Sequence, residues 1–198
     1  MRLLIIRHGE SEADILKVHE GRADFPLTER GHEQAERMAE YVSSNYDISK
    51  IYSSSLTRAK ETALHLSDRT SLPLIMEDML MEFNNGLIAG LSPEEAKEKY
   101  PENPNLQIHE AMYEMESELE FRYRAEFILS KIISENPDNS TIALVSHGGM
   151  INQLYRSFLK LPIDTDIYFA TGDTGIHEWL VRPGDRRIVM ANYIENMD

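Results

Sequence analysis

The chain contains no cysteine, so it can form neither a disulfide framework nor a thiolate metal site. Positive charge is also scarce. Twenty Lys and Arg face 34 Asp and Glu, giving a formal net charge of −14. Nucleic acid and anionic membrane surfaces both need a basic face, so neither is expected as a partner. The surplus does not exclude a local basic pocket inside an acidic shell. Long apolar runs are missing too. None approaches the roughly 18 residues of a membrane span. The first run, Leu3 to Ile6, stops at Arg7-His8, too short for a signal-peptide core. A cytoplasmic location is expected. No GxxxxGK[ST] loop is present, which removes nucleotide hydrolysis of that type. No histidine pair has HExxH spacing, and no carboxylate cluster suggests a two-metal site. Neither metal nor cofactor is expected.

What is present fits one domain, 1–198, with a sizeable core: 198 residues, 41% hydrophobic and 27% charged. Strand signals fall at 3–6, 51–55, 73–76 and 141–146. Helix signals fall at 32–45, 56–67, 92–101, from Ser117 onward, and at 149–160, with Thr28, Ser55, Ser92 and Ser117 as N-caps. Residues 175–181 and 187–193 flank the turn RPGDR as a hairpin. This alternation predicts an α/β/α sandwich of three layers, with a mostly parallel sheet and an antiparallel edge. Residues 83–122 are expected as a small loop-and-helix insertion over the active site.

Ligands of open α/β sheets bind beyond the carboxyl ends of the strands. Arg7-His8-Gly9 follows one apolar strand and Ser146-His147-Gly148 another, while Arg58 opens the helix after the serine-rich strand. Two arginines and two histidines at three strand ends suit a phosphoryl group, which guanidinium pairs in fork geometry. Helix N-termini after Gly9 and Gly148 would add N–H donors, glycine allowing close approach. A histidine in such a cage can attack phosphorus and carry the group covalently. The leaving alcohol then needs a proton, and Glu10, Glu82 and Glu178 all remain candidates. His32, His65 and His109 are expected at the surface or in loops, His19 is ambiguous, and His177 is expected to be structural.

The motifs carrying this chemistry resemble the histidine phosphatase superfamily, also called the phosphoglycerate mutase family, nearly end to end. RHGES at 7–11 is similar to its RHGE[ST] signature, which implies His8 as phosphate acceptor and Arg7 as phosphate ligand. GRADFPLTERG at 21–31 resembles G-x-x-D-x-PLT-x-x-G, and YSSSLTRAKETA at 52–63 implies Arg58 as the second phosphate arginine. The segment from Leu80 resembles L-x-E and singles out Glu82 as proton donor; MESELEFRYRA at 115–125 looks like the GES segment and its helix. VSHGGM at 145–150 implies His147 as the second histidine. The expected contacts of phosphate or substrate are Arg7, Arg58, Gly148, Asp14, Glu20, Gly21 and Arg22.

The resemblance implies a metal-independent phosphatase that hydrolyses small phosphomonoesters through phosphohistidine. Mutases of the family carry ERHYG at the acid, where this chain has Glu82-Phe83-Asn84-Asn85-Gly86. A phosphoglycerate mutase is therefore the alternative, and a non-catalytic phosphate-binding relic the third. The partner is expected to be a small phosphorylated metabolite, with a homodimer left open. Two positions depart from the family: Asp14 replaces a usual asparagine, and Glu20 a usual glutamine or threonine. With nine glutamates in the segment 83–121 against Lys97 and Lys99, an acidic mouth is expected to disfavour anionic leaving groups, Arg22 being the one nearby counter-charge.

Overall fold

In the computed structural model, which describes residues 1–194, four strands run parallel. They are β1 (Arg2–Arg7), β2 (Lys50–Ser53), β3 (Leu74–Met76) and β4 (Thr141–Ser146). The hairpin β5 (Ile176–Arg182) and β6 (Asp185–Tyr193) completes a sheet of order β3-β2-β4-β1-β5-β6. β5 lies antiparallel to β1, and β6 antiparallel to β5. The expected sandwich with its antiparallel edge is what forms. Residues 195–198 of the expected single-domain span lie outside the described residues.

The two-residue period of a strand sorts the core into two faces. Leu3 and Ile5 of β1, with Ile142 and Leu144 of β4, pack under α5 (Glu118–Glu135) and α6 (Gly148–Phe158). Leu4 and Ile6, with Ala143 and Val145, pack under α2 (Glu29–Asn45) and α3 (Thr57–Thr70). Leu3, Leu4, Ile5 and Ile6 are all fully buried. Each contributes roughly 1.5–3 kcal/mol of transfer free energy. A strand covered on both faces has no solvent side, which is why its sequence is apolar throughout.

Local signals place most helix ends. The Thr28 hydroxyl accepts from Gly31 N, so α2 begins at Glu29, three residues before the apolar periodicity does. Ser92 and Ser117 close capping boxes with Glu95 and Glu120 at the starts of α4 (Pro93–Lys99) and α5. Ser55 does not cap α3. Its hydroxyl reaches Asp78, and the Asp24 carboxylate accepts from Thr57 N at 2.6 Å instead. The short α1 (Glu12–Leu16) carries no apolar periodicity long enough to announce it.

From β1 the chain crosses over β4 to reach β2, and from β4 it crosses over β1 to reach β5. The connections thus part between β1 and β4, the place where an open sheet leaves a crevice. The register pairs Arg7 with Ser146 there, so His8 and His147 leave the sheet side by side. The insertion over this edge is closed at its base by Leu87 N to Tyr113 O and Glu116 N to Asn84 O. Gly90 N and Leu91 O pair with His19, fastening the insertion to the loop that carries Glu20.

Candidate active site

His8 is buried, and its Nδ1 lies 2.7 Å from the Gly9 carbonyl. A carbonyl can only accept, so Nδ1 holds the proton and Nε2 presents its lone pair. Arg58 Nε lies 3.3 Å from that Nε2. Arg58 is itself wholly buried. Its two terminal nitrogens donate to the carbonyls of Gly21 at 2.8 Å and Ala23 at 3.0 Å. Gly21 therefore serves the site through its backbone. It has φ +47°, and a Cβ there would fall 1.7 Å from the Asn85 side chain.

The rings of His8 and His147 are 5.1 Å apart. His147 Nε2 is 2.8 Å from Ser54 Oγ, while its Nδ1 is buried with no hydrogen-bond partner among the described residues. Arg7 Nε is likewise buried and unpartnered, beside Gly148 at the start of α6. The rest of the Arg7 guanidinium is held by the Thr171 carbonyl at 2.9 Å and by Asp173 at 3.4 Å. Burial first, then Arg58, drives both histidines well below the ordinary imidazole range. Arg7 acts the same way on each, and the Gly9 bond opposes for His8. Both rings are therefore neutral near pH 7.

Glu82 reaches the same edge from the 3₁₀ turn after β3. Its carboxylate accepts from Phe83 N at 2.7 Å and from Gly149 N at 2.8 Å. Arg124 Nη2 (3.1 Å) and Arg22 Nε (3.4 Å) both donate to its carbonyl. The other two candidate acids are placed elsewhere. Glu178 pairs with Arg2 and Tyr46, and Glu10 accepts from Thr28.

Several expectations are corrected. Asp14 closes the α1 cap, its carboxylate accepting from Ser11 N at 2.8 Å, and it adjoins the cage through the Ser11 hydroxyl, which also touches Glu20. Gly9 N is taken by Thr62 Oγ1 at 3.1 Å and Gly149 N by Glu82, so neither points to a ligand. Gly9 is needed for another reason: a Cβ there would stand 2.5 Å from the Gly31 carbonyl oxygen. Some of the nine glutamates of the mouth segment have local partners. Glu95 and Glu120 are spent on caps, and Glu116 is clamped to Arg124. Arg124 is the residue sequence reasoning missed. It is buried, with Nη1 on the carbonyls of Met79 and Met81, and it pairs with Glu116 as Arg22 does, so Arg22 is not the one counter-charge at the mouth. Its only signal was an arginine on the otherwise apolar face of α5.

Glu20 stands inside the cage. Its Oε1 is 3.3 Å from Arg58 Nε and touches Ser11 Oγ, and its Oε2 is 3.7 Å from His8 Nε2. Among the described residues, no group of three or more His, Asp or Glu is placed to hold a metal ion, and no helix is long and apolar enough to cross a membrane.

Two neutral imidazoles and two arginines at the carboxyl edge of a doubly covered sheet define an α/β enzyme of phosphatase type, a hydrolase. The chain belongs to the histidine phosphatase superfamily (branch 1), whose family model matches residues 3–194. Phosphoserine phosphatase 1 of Hydrogenobacter thermophilus is 28% identical over 96% of this chain and 90% of its own length. Glucosyl-3-phosphoglycerate phosphatase of Mycobacterium tuberculosis H37Rv is 29% identical, over 90% and 83%. The alpha-ribazole phosphatase structure from Shigella flexneri superposes with a TM-score of 0.89 at 25% identity, covering 98% of this chain and 96% of that one.

Proposed function

We propose that the protein hydrolyses small phosphomonoesters through a phosphohistidine on His8, without a metal ion. The observation that carries this is the His8 tautomer, whose free Nε2 faces the guanidinium of Arg58. In this reading the phosphoryl oxygens lie against Arg7, Arg58 and His147, and the unpartnered Arg7 Nε and His147 Nδ1 gain partners when the group binds. The α6 N-terminus at Gly148 adds its positive end.

His8 Nε2 attacks phosphorus and a P–N bond forms as the P–O bond to the alcohol breaks. Glu82 gives its proton to the departing oxygen. The two backbone N–H groups on its carboxylate then stabilise the charge it keeps. A water, deprotonated by Glu82, next attacks phosphorus, the P–N bond breaks, and inorganic phosphate leaves. Arg7 and Arg58 stabilise the charge that builds on the equatorial oxygens in both steps, commonly the largest single contribution to such catalysis.

His8→Ala should abolish hydrolysis of p-nitrophenyl phosphate, and the wild type should trap a phosphoryl group that is acid-labile and base-stable. A chelator should leave the rate unchanged. Loss of activity with chelator and its return with a divalent ion would overturn the metal-independent mechanism.

A further inference from the structure

Glu20 is the one carboxylate within ion-pair distance of both Arg58 and His8 among the described residues. For in-line attack a phosphorus atom must come within about 3–3.5 Å of the nucleophile. Glu20 Oε2 already stands 3.7 Å from His8 Nε2. Arg58 Nε, the donor a phosphoryl oxygen needs beside that nitrogen, is shared between His8 Nε2 and Glu20 Oε1, both at 3.3 Å. Carboxylate and phosphoryl group therefore require the same place and the same donor.

We propose that Glu20 is a proton-gated occupant of the anion cage, which yields its place on Arg58 and His8 to a tetrahedral dianion only with uptake of one proton. The inference rests on the phosphoryl-cage reading above. Two contacts and burial favour a proton on Glu20. His8 Nε2 in its fixed tautomer is an acceptor, as is the carboxylate oxygen facing it. Ser11 has one hydroxyl proton but touches two carboxylates, Glu20 and Asp14, the latter at 3.0 Å. A protonated Glu20 can donate to Ser11 Oγ or to the arriving oxyanion, while Ser11 keeps its bond to Asp14. Third, the side chain is only 18% exposed. Burial pushes the Glu20 carboxyl above the ordinary carboxylate range, with Arg58 and then Ser11 opposing and Asp14 adding to it. The groups facing it are Arg58 from α3, Arg7 and His8 from the end of β1 and Asp14 from α1, with His147 and Glu82 across the cage. A glutamine at this position would keep the shape and the Ser11 contact without the charge.

The consequence is a specificity for protonation state. The enzyme takes its anion together with a proton, and it releases product phosphate more readily as pH rises.

Sulfate tests this, because it remains a dianion across the range and forms no covalent intermediate. Its dissociation constant should be measured by calorimetry for wild type and Glu20→Gln, from about pH 5 to about pH 8 at constant ionic strength. Wild-type affinity should fall by about tenfold per pH unit once Glu20 ionises, and the variant should remain flat. Glu20→Gln should then bind sulfate at least about tenfold tighter at the upper end. The same pH dependence in both proteins would overturn the gate while leaving the cage intact. Failure of both to bind sulfate at any pH would overturn the cage reading, and this inference with it.

Discussion

Lowering the pH should destabilise this fold through histidines that have no room for a proton, and His177 allows the size of the effect to be worked out. The ring is fully buried on β5. Its Nδ1 accepts from Asn192 N at 3.0 Å and lies 2.7 Å from Tyr155 Oη. Nε2 therefore carries the proton and donates to Thr171 Oγ1 at 2.9 Å. A second proton would have to displace the Asn192 N–H, and burial depresses the group to about 4. In the unfolded chain it returns to about 6.5. Between those values the unfolded state binds more protons than the native one, so stability is lost as pH falls. For one such group the loss is roughly 2 kcal/mol at pH 5 and roughly 3 kcal/mol at pH 4, relative to neutral pH. His8 and His147 act in the same direction. Urea denaturation should be followed from about pH 7.5 to about pH 5 for wild type and His177→Gln. The amide costs something at every pH, yet it cannot titrate. The gap between the two proteins should therefore narrow by roughly 2 kcal/mol on acidification. A gap that stays constant would refute the assignment of a depressed native-state pKa to His177.

Other expectations concern the reaction and its scaffold. Glu82→Gln should slow alkyl phosphate hydrolysis by about 10²–10⁴-fold while sparing an activated aryl ester, whose leaving group needs no proton; equal losses on both would remove Glu82 from the proton-donor role. Arg124→Met should cost about 1–3 kcal/mol, because the carbonyls of Met79, Met81 and Glu82 lose their donor while Glu116 keeps only the more distant Arg22 and the Asn84 N–H. Chemical denaturation checks this, and a loss below about 0.5 kcal/mol would show that water or Arg22 replaces the donors of Arg124 without cost. Interconversion of the two monophosphoglycerates should be negligible beside their hydrolysis, measured by product analysis; efficient isomerisation would place the chain with the mutases.

The parts of this architecture that could be read in advance are those written in local pattern. The runs at 3–6 and 141–146 announce strands buried on both faces, and the two His-Gly joints announce strand ends. Residue chemistry alone could not separate Glu10, Glu82 and Glu178. The separation comes from where the sheet places them: Glu178 pairs with Leu4 in mid-strand, whereas Glu82 follows the turn beyond β3 at the edge. Arg124 was hidden for the opposite reason. Its helix was legible, but its partners are carbonyls of residues 79, 81 and 82, and contacts across such sequence distances leave no local pattern. Ser55 shows a signal that misleads. A serine two residues before a helix resembles a cap, yet a carboxylate from residue 24 takes the same donor.

The crossing of Gly9 and Gly31 has a consequence for how tolerance to substitution is interpreted in this chain. The backbone of the His8 turn rests on the first turn of α2. A Cβ at 9 would strike the carbonyl of Gly31 at 2.5 Å, and a Cβ at 31 would strike that of Glu10 at 2.0 Å. Neither clash can be relieved by a rotamer, because both struck atoms are backbone. In a saturation screen scored by growth or turnover, both positions would come up as dead as His8 itself. Gly31 bears no reactive atom, and ranking residues by intolerance alone would enrol it among the catalytic groups. Scoring abundance beside activity separates the two kinds of failure. His8→Ala should leave a folded, inert protein, whereas Gly31→Ala should lower the amount of folded protein.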